Sequence, residues 1–193
     1  MKYYNFKNNK EVDGQSIIHA INLLPGNELI GAEVGVGTAQ NFCTILQNCP
    51  RISKLYGIDA YLPYIDYLKI EYDGKPAYEV DEKQIHLNKM LAMHNIEFSG
   101  FKEKVAFYID DSCNVVHDIA DSELDFIFLD TYLTIEQVAS DIKEWYPKVK
   151  TGGLFSGHDW NSDAVQISLF EFMKNNNIQA NLSIFDNTWA FIK

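Results

Sequence analysis

Cysteines and long apolar runs are scarce in this sequence. It has three cysteines, Cys43, Cys49 and Cys113. An odd count, with two members in one predicted helix, does not suggest a disulfide framework, so we expect a reducing, cytoplasmic location. No stretch approaches the roughly 20 apolar residues that span a bilayer, and residues 1–15 lack the apolar segment of a signal peptide. We therefore expect no membrane partner.

Positive charge is also scarce. The chain has 16 Lys and Arg against 27 Asp and Glu, which gives a formal net charge of −11. A nucleic-acid backbone has to be met by clustered Lys and Arg, and here the basic residues are scattered. We therefore expect no nucleic-acid partner, and a small-molecule substrate suits the charge better.

Short strand patterns alternate with helical patterns along the chain. The strand patterns are "LIGAEVGV", "KLYGIDA", "KVAFYID", "LDFIFLD", "GGLFSGHD" and the two halves of "NLSIFDNTWAFIK", which flank Asp186 and Asn187. Helices are predicted to begin at Asp81 and at Thr134, the latter with Gln137 at capping-box spacing. The alternation predicts an α/β fold with a doubly wound, Rossmann-like, mostly parallel sheet of seven strands, a C-terminal antiparallel hairpin and helices on both faces.

The chain is expected to form one domain over residues 1–193, with an N-terminal helical segment at 1–28 and an insertion at 61–100. The first half of the insertion reads as an aromatic loop and the second half as a helix. Its tyrosines suit a lid over a sugar or phenolic acceptor or, alternatively, the core of the lid itself: Tyr61, Tyr64, Tyr67, Tyr72 and Tyr78. The helix at 16–24 would cover either the active site or a neighbouring subunit, so a homo-oligomer stays open.

The stretch "IGAEVGVGTAQNF" at residues 30–42 is the first turn from a strand to a helix. Gly35 and Gly37 let the backbone approach a ligand, and the following helix offers free N–H groups to an anionic group. A dinucleotide fold prefers a third glycine three residues after the second, where this chain has Gln40. The missing glycine makes the turn less typical of NAD without excluding it, and the turn indicates a nucleotide-containing cofactor or, alternatively, a tight turn alone.

Polar residues follow each of the first five predicted strands. The later four sets are Asp59, Asp111 with Ser112, Asp130, and His158 with Asp159. In doubly wound sheets the ligand lies outside the carboxyl ends of the strands. Asp59 is about twenty residues past the glycines, where an acid accepts the ribose hydroxyls. Alternatively, Asp59, Asp111 and Asp130 serve as turn residues or helix caps.

These motifs resemble class I S-adenosylmethionine-dependent methyltransferases, within them the small-molecule O-methyltransferase-like group. The resemblance covers residues 29–193 and is carried by "EVGVG", "YGIDAY", "DDS", "FLD", "DIKEWYPKVKTGGLFSGHDW" and "TWAFIK". It implies S-adenosylmethionine as cofactor, with the methionine part near Glu33, Gly35, Gly37 and Asn41. It also implies that Asp59 holds the ribose, that Asp111 and Ser112 lie beside the adenine, and that Asp130 faces the methyl-donor end.

The resemblance also suggests a metal site. In metal-dependent relatives, acids at the positions of Asp130 and Asp159 help to bind a divalent cation, with a third ligand at the position of His158. Mg²⁺ is therefore a candidate cofactor, although an imidazole is not the oxygen ligand that Mg²⁺ prefers.

Methyl transfer from a sulfonium mainly requires alignment of the acceptor and removal of its proton. His158 is the predicted base because the pKa of a histidine lies near neutrality, and Asp159 would orient it; alternatively, His158 is a structural residue. The family usually has an Asp-Gly-x-His-type turn after the fourth strand, where this chain has "DTYL" with Leu133. Any catalytic role of that histidine is therefore in doubt.

The sequence thus predicts a methyltransferase that acts on a small-molecule acceptor, with a hydroxyl oxygen as the favoured methyl acceptor. Two alternatives remain at this level. One is an NAD(P)-dependent oxidoreductase on the same fold, and the other is a cofactor-binding protein without catalytic activity.

Overall fold

The structure, a computed structural model, describes residues 17–66, 78–131 and 134–193. The strands of these residues are β1 (Leu29–Val34), β2 (Ile52–Ile58), β3 (Tyr64–Asp66), β4 (Tyr78–Val80), β5 (Val105–Tyr108), β6 (Leu124–Leu129), β7 (Val149–Gly157), β8 (Ser183–Phe185) and β9 (Thr188–Ile192). The helices are α1 (Ile17–Leu23), α2 (Gln40–Asn48), α3 (Glu82–Phe98), α4 (Ser112–Val115), α5 (Ile135–Trp145) and α6 (Asp163–Asn175).

Seven of these strands form one sheet in the order β5-β2-β1-β6-β7-β9-β8. All neighbours up to β7 are parallel, whereas β9 runs antiparallel to both β7 and β8. The hairpin turn contains Asp186 and Asn187, which have φ values of 44° and 64°. The predicted seven-stranded sheet with a C-terminal hairpin is confirmed. The strand order reverses between β1 and β6, so the carboxyl ends of these two strands form the switch point.

Each face of the sheet is covered by helices. One apolar core lies between the sheet and helices α1, α2 and α3. The other lies between the opposite face of the sheet and helices α4, α5 and α6. Phe42 of α2 is fully buried in the first core, and Trp145 of α5 is fully buried in the second. The predicted helices on both faces are therefore confirmed.

Helices α3 and α5 begin directly after the two residues that the sequence predicts as their N-caps, Asp81 and Thr134. Asp81 Oδ1 accepts a hydrogen bond from the Gln84 amide at 2.9 Å, and Thr134 Oγ1 accepts one from the Gln137 amide at 3.2 Å. Each side chain satisfies one of the amides that the first turn of a helix leaves without a partner. Both predicted starts are confirmed.

The insertion at 61–100 differs from the expectation in its first half. Strands β3 and β4 pair antiparallel, with Tyr64 opposite Val80, and form a separate small sheet. The expected loop is therefore wrong at these positions, because strands of three residues are too short to show a period in the sequence. The second half is helix α3, as predicted. Tyr67 and Tyr72 lie outside the described residues, and the lid role stays a prediction.

Among the helices of the described ranges, none combines the length and apolarity needed to cross a membrane. The three cysteines are free thiols, with Cys43 and Cys49 buried and Cys113 exposed. The expected cytoplasmic location and the division of the chain into a single domain stay predictions.

Candidate functional site

The glycine turn after β1 lies at the switch point of the sheet. Gly35 and Gly37 have φ values of +91° and +57°, a region that favours glycine. A Cβ on Gly35 would lie 1.8 Å from the backbone oxygen of Asp130, so the turn passes directly against the end of β6. A Cβ on Gly37 would meet no atom within 4 Å. Gly35 thus serves packing, whereas Gly37 leaves open space above the turn.

Asp59, which follows β2, holds this turn in place. Its Oδ2 accepts a hydrogen bond from the Gly37 amide at 2.8 Å, and its Oδ1 accepts one from the Tyr61 amide at 2.8 Å. Burial raises the pKa of the Asp59 carboxyl, and these amide donors oppose the increase. Asp59 and Gly37, which the sequence predicts at one site, are therefore in direct contact.

Two side chains of the insertion also bind the glycine turn. The hydroxyl of Tyr61 donates to the Gly37 carbonyl at 2.7 Å, and Asn95 Nδ2 of α3 donates to the Thr38 carbonyl at 2.8 Å. Tyr61 is buried and has a φ of 49°. The sequence indicates an acceptor-side role for Tyr61 but not this contact, which depends on the path of the chain after β2.

Glu33, in β1, is 1% exposed. Its Oε1 accepts a hydrogen bond from Asn41 Nδ2 at 3.1 Å, while its Oε2 has no hydrogen-bond partner among the described residues. Burial raises the pKa of Glu33 well above its usual value, and the charges of Asp130 and Asp59 raise it further. We call Glu33, Asp59 and Asp130 the acid cluster.

The acid cluster suits a cationic ligand. In the part of the chain that the structure describes, no Lys or Arg offsets the repulsion that Asp130 exerts on Glu33 and Asp59. A buried carboxylate oxygen without a donor costs free energy unless a ligand supplies one. An ammonium or sulfonium group would bring positive charge to Glu33 and Asp59, whereas a diphosphate would add to the repulsion.

The ends of β6 and β7 bring together Asp130, His158 and Asp159. His158 Nδ1 lies 3.0 Å from Asp159 Oδ1 and 3.6 Å from Asp130 Oδ1. Hydrogen bonds to Asp130 and Asp159 raise the pKa of His158 to about 10. The imidazole therefore carries a proton at neutral pH, and the expected near-neutral pKa is wrong for this arrangement because both carboxylates stabilise the charged form.

The C-terminal hairpin supports the turn that contains His158 and Asp159. Asn187 Nδ2 donates to Asp159 Oδ1 at 3.2 Å, and Trp189 Nε1 donates to the His158 carbonyl at 3.1 Å. Asp159 is 9% exposed and has a φ of 56°. The hairpin thus fixes an uncommon backbone conformation at the end of β7.

Asp130, His158 and Asp159 each offer one ligand atom, and these atoms lie within 4.8 Å of one another. The set contains an imidazole nitrogen, and Asp159 Oδ1 already accepts from Asn187. Mg²⁺ prefers oxygen ligands in near-octahedral geometry, so this donor set suits it poorly. The metal role of the three residues stays a prediction.

The residues predicted beside the adenine have local partners. Asp111 Oδ1 accepts a hydrogen bond from the Cys113 amide at 2.9 Å and caps α4. Ser112 is 9% exposed, and its hydroxyl donates to Asp141 Oδ1 at 2.6 Å. The capping interpretation of Asp111 thus agrees with the geometry, and the adenine contact of both residues stays a prediction. For Leu133, which replaces the family histidine, the position lies outside the described residues.

Asp141 is a buried carboxylate that the sequence reasoning missed. It is 1% exposed on α5 and accepts hydrogen bonds from Ser112, Thr131 and Gln137. The available signal is its helical position, three residues after Val138 and four before Trp145, on the buried face of an amphipathic helix. An acid at such a position predicts a buried carboxylate.

Comparison with known proteins assigns the chain to a family. A family model described as "Methyltransferase domain" matches residues 30–160, more than half of the chain. The chain therefore belongs to this methyltransferase family. No match was found among curated proteins. The family assignment decides against the oxidoreductase alternative.

Solved methyltransferase structures have the same fold. The O-methyltransferase NovP is 19% identical, with a TM-score of 0.56, and the match covers 91% of this chain and 78% of NovP. A Streptococcus mutans protein in complex with S-adenosylhomocysteine is 12% identical, with a TM-score of 0.61 and coverage of 91% and 94%. An rRNA methylase from Streptococcus thermophilus is 11% identical, with a TM-score of 0.61 and coverage of 91% and 93%.

At these identities the likeness shows the fold alone. The predicted class I S-adenosylmethionine-dependent methyltransferase architecture is confirmed. The names of the solved structures include different acceptors, so the fold does not decide which acceptor this chain methylates.

Proposed function

We propose that the protein binds S-adenosylmethionine over the acid cluster and transfers its methyl group to a hydroxyl oxygen of a small molecule. The observation that carries the proposal is Glu33 Oε2, a buried carboxylate oxygen without a partner among the described residues, beside two further carboxylates. S-adenosylmethionine carries a sulfonium and an ammonium against one carboxylate, so its net charge is complementary to the cluster.

In this proposal each strand end contacts a different part of the cofactor. Glu33, Gly35, Gly37 and Asn41 surround the methionine part, and the open space beside Gly37 allows close approach. Asp59 binds the ribose hydroxyls, because each of its oxygens accepts one amide bond and keeps further acceptor capacity. Asp111 and Ser112 lie on the adenine side.

Asp130 and His158 lie at the methyl-donor end in this proposal. The cofactor supplies an activated methyl group on a positively charged sulfur. Asp159 and Asp130 hold a proton at Nδ1 of His158 and orient the ring. A positive group beside Asp130 offsets that carboxylate and lowers the pKa of His158 from about 10 toward the working pH. A neutral His158 then accepts the proton of the acceptor hydroxyl.

A small acceptor is supported by charge. The formal net charge of −11 repels polyanions such as RNA. The chain order also places residues 61–100 directly after the strand whose end contacts the glycine turn, which supports an acceptor-side lid. A reducing cytoplasm is the location that we propose for this activity.

The first test is calorimetric titration with S-adenosylhomocysteine, with NAD⁺ as a control and with Mg²⁺ present or absent. We expect a Kd of about 1 μM, which is a binding free energy of about −8 kcal/mol, and no binding of NAD⁺. Binding should be followed by transfer of labelled methyl groups to a panel of small phenols and sugars. A folded protein that does not bind S-adenosylhomocysteine would refute the proposal. Binding without methyl transfer to any acceptor would favour the alternative of a cofactor-binding protein without catalytic activity.

A further inference from the structure

Asp141 connects two turns that follow strands not adjacent in the sheet. Its Oδ1 accepts from the hydroxyl of Ser112 at 2.6 Å, where α4 begins directly after the turn that follows β5. Its Oδ2 accepts from the hydroxyl of Thr131 at 2.7 Å, in the turn after β6, and from Gln137 Nε2 of its own helix at 3.2 Å. In the sheet, β5 and β6 are separated by β2 and β1. Strand pairing therefore links these two turns only through two intervening strands, whereas Asp141 links them directly.

Each turn carries residues of the proposed cofactor site. Ser112 follows Asp111 on the adenine side, and Thr131 follows Asp130 at the methyl-donor end. Asp141 also lines a small cavity of about 10 Å³ together with Asp130, His158 and Asp159. This cavity is too small for a cofactor, but it shows that Asp141 borders the same space as the proposed reacting end.

The choice of residue is costly in itself. Asp141 is 1% exposed, and the three groups that donate to it are all neutral. A buried carboxylate without a cation is unfavourable compared with an apolar or amide side chain. An acceptor-only group is suited to this position because two hydroxyls and an amide must all donate to it at once.

We propose that Asp141 is a positioning residue, which holds the adenine-side turn and the methyl-side turn in the arrangement that binds S-adenosylmethionine. This inference rests on the proposed function. Asp141 touches no cofactor itself and acts through the hydroxyls of Ser112 and Thr131. Its loss should therefore weaken cofactor binding even in protein that remains folded.

The test compares Asp141→Asn with Glu136→Gln, an exposed acid on the same helix, by calorimetric titration with S-adenosylhomocysteine well below the melting temperature. Asparagine has one acceptor oxygen and no charge, so one of the two hydroxyls loses its acceptor and can at most accept a neutral hydrogen bond from the asparagine Nδ2. We expect binding to weaken by about tenfold or more in Asp141→Asn, as for the loss of a hydrogen bond to a charged group. Glu136→Gln should stay within about twofold of wild type. Wild-type affinity in folded Asp141→Asn would overturn the inference.

A double-mutant cycle separates positioning from a contribution to stability alone. Ser112→Ala and Thr131→Val remove the two hydroxyls separately, and each should weaken binding, with a combined effect smaller than the sum. In the Asp141→Asn background this coupling should disappear, a result that lower stability alone does not produce.

If Asp141→Asn does not fold, the two single variants decide the matter, and wild-type affinity in both would overturn the inference. Wild-type protein that does not bind S-adenosylhomocysteine would overturn the proposed function, and the inference with it. Normal wild-type binding with unaffected variants would overturn the inference alone.

Discussion

Glu33 and Asp141 are two carboxylates with equal burial and opposite surroundings. Each is 1% exposed. Asp141 accepts three hydrogen bonds through both oxygens, whereas Glu33 accepts one and leaves Oε2 without a partner among the described residues. Buried polar groups in folded proteins are nearly always paired. The difference therefore separates a carboxylate whose partners belong to the fold from one whose partner we expect to be a ligand.

The electrostatic surroundings agree with this distinction. Burial raises the pKa of both groups. Ser112, Thr131 and Gln137 oppose the increase at Asp141, where Asp111 is the one repelling carboxylate among the causes of the shift. At Glu33, Asn41 alone opposes burial and the repulsion of both Asp130 and Asp59. The region around Glu33 thus keeps an unfavourable charge arrangement, as is common in binding and catalytic sites.

The largest expected effect comes from Gly35, which joins the strand of Glu33 to the end of β6. In Gly35→Ala the new Cβ would lie 1.8 Å from the Asp130 backbone oxygen at a φ of +91°. We expect the free energy of unfolding to fall by more than about 3 kcal/mol in urea titrations. Gly37→Ala is the control, with a Cβ in open space, and should cost only about 1 kcal/mol while weakening S-adenosylhomocysteine binding. Equal stability of both variants would contradict this account of the turn.

Removal of the satisfied carboxylate should have the next largest effect. Asp141→Ala removes the acceptor of one buried donor, on Ser112, and of two half-buried donors, on Thr131 and Gln137. We expect a loss of about 3 kcal/mol in the free energy of unfolding, against a small change for Glu136→Ala on the exposed side of the helix. A loss below about 1 kcal/mol would mean that the surroundings of Asp141 relax. The two carboxylates would then differ less in their contribution to stability than their hydrogen bonds indicate.

Replacing the unsatisfied carboxylate, Glu33, should weaken cofactor binding without lowering the stability of the unliganded protein. Glu33→Gln replaces a buried acid whose ionisation burial and the charges of Asp130 and Asp59 disfavour, so the unliganded protein should be as stable as wild type or more stable by about 1 kcal/mol. Binding of S-adenosylmethionine, measured by calorimetry, should weaken by about tenfold. A variant that loses stability without losing affinity would show that Glu33 is structural.

The smallest expected effect is a dependence of stability on pH. The folded-state pKa values of Glu33, Asp59 and Asp141 are raised, so the folded state keeps protons that the unfolded state releases above its ordinary carboxyl pKa. The contribution of His158, whose pKa rises from 6.5 to about 10, is complete below 6.5 and is lost as the pH passes through about 10.

Both contributions therefore make the unliganded protein less stable as the pH rises. Melting temperatures measured from pH 5 to pH 10 at constant ionic strength should decline throughout. His158→Gln should flatten the upper part of the curve and leave the lower part unchanged. A melting temperature that rises with pH would contradict the raised pKa values.

The sequence predicts the seven-stranded sheet and most helices well because these elements have their own local signals, which the three-residue strands β3 and β4 lack. Alternating apolar patterns identify the strands, and Asp81 and Thr134 mark helix starts through contacts within three residues. Several site residues follow from the same logic, since the carboxyl ends of adjacent parallel strands meet at one edge of the sheet. Glu33 and Asp130 are therefore near each other without any specific contact having been predicted.

The contacts that depend on distance between side chains are not predictable in this way. Asp141 and Ser112 are 29 positions apart, and Tyr61 and Gly37 are 24 apart. The pKa of His158 depends on two carboxylates approaching one nitrogen. No pattern along the chain encodes these approaches, because they follow from how helices and turns pack on the finished sheet.

The hydrogen bonds from Tyr61 and Asn95 couple the glycine turn to the connection between β2 and β5. Tyr61 precedes β3 and Asn95 lies near the end of α3, so the turn is held from both ends of the connection between β2 and β5. A ligand that shifts the turn must also shift these two residues. Linked equilibria are reciprocal, so a molecule bound against that connection and a ligand that shifts the turn would change each other's affinity by the same factor.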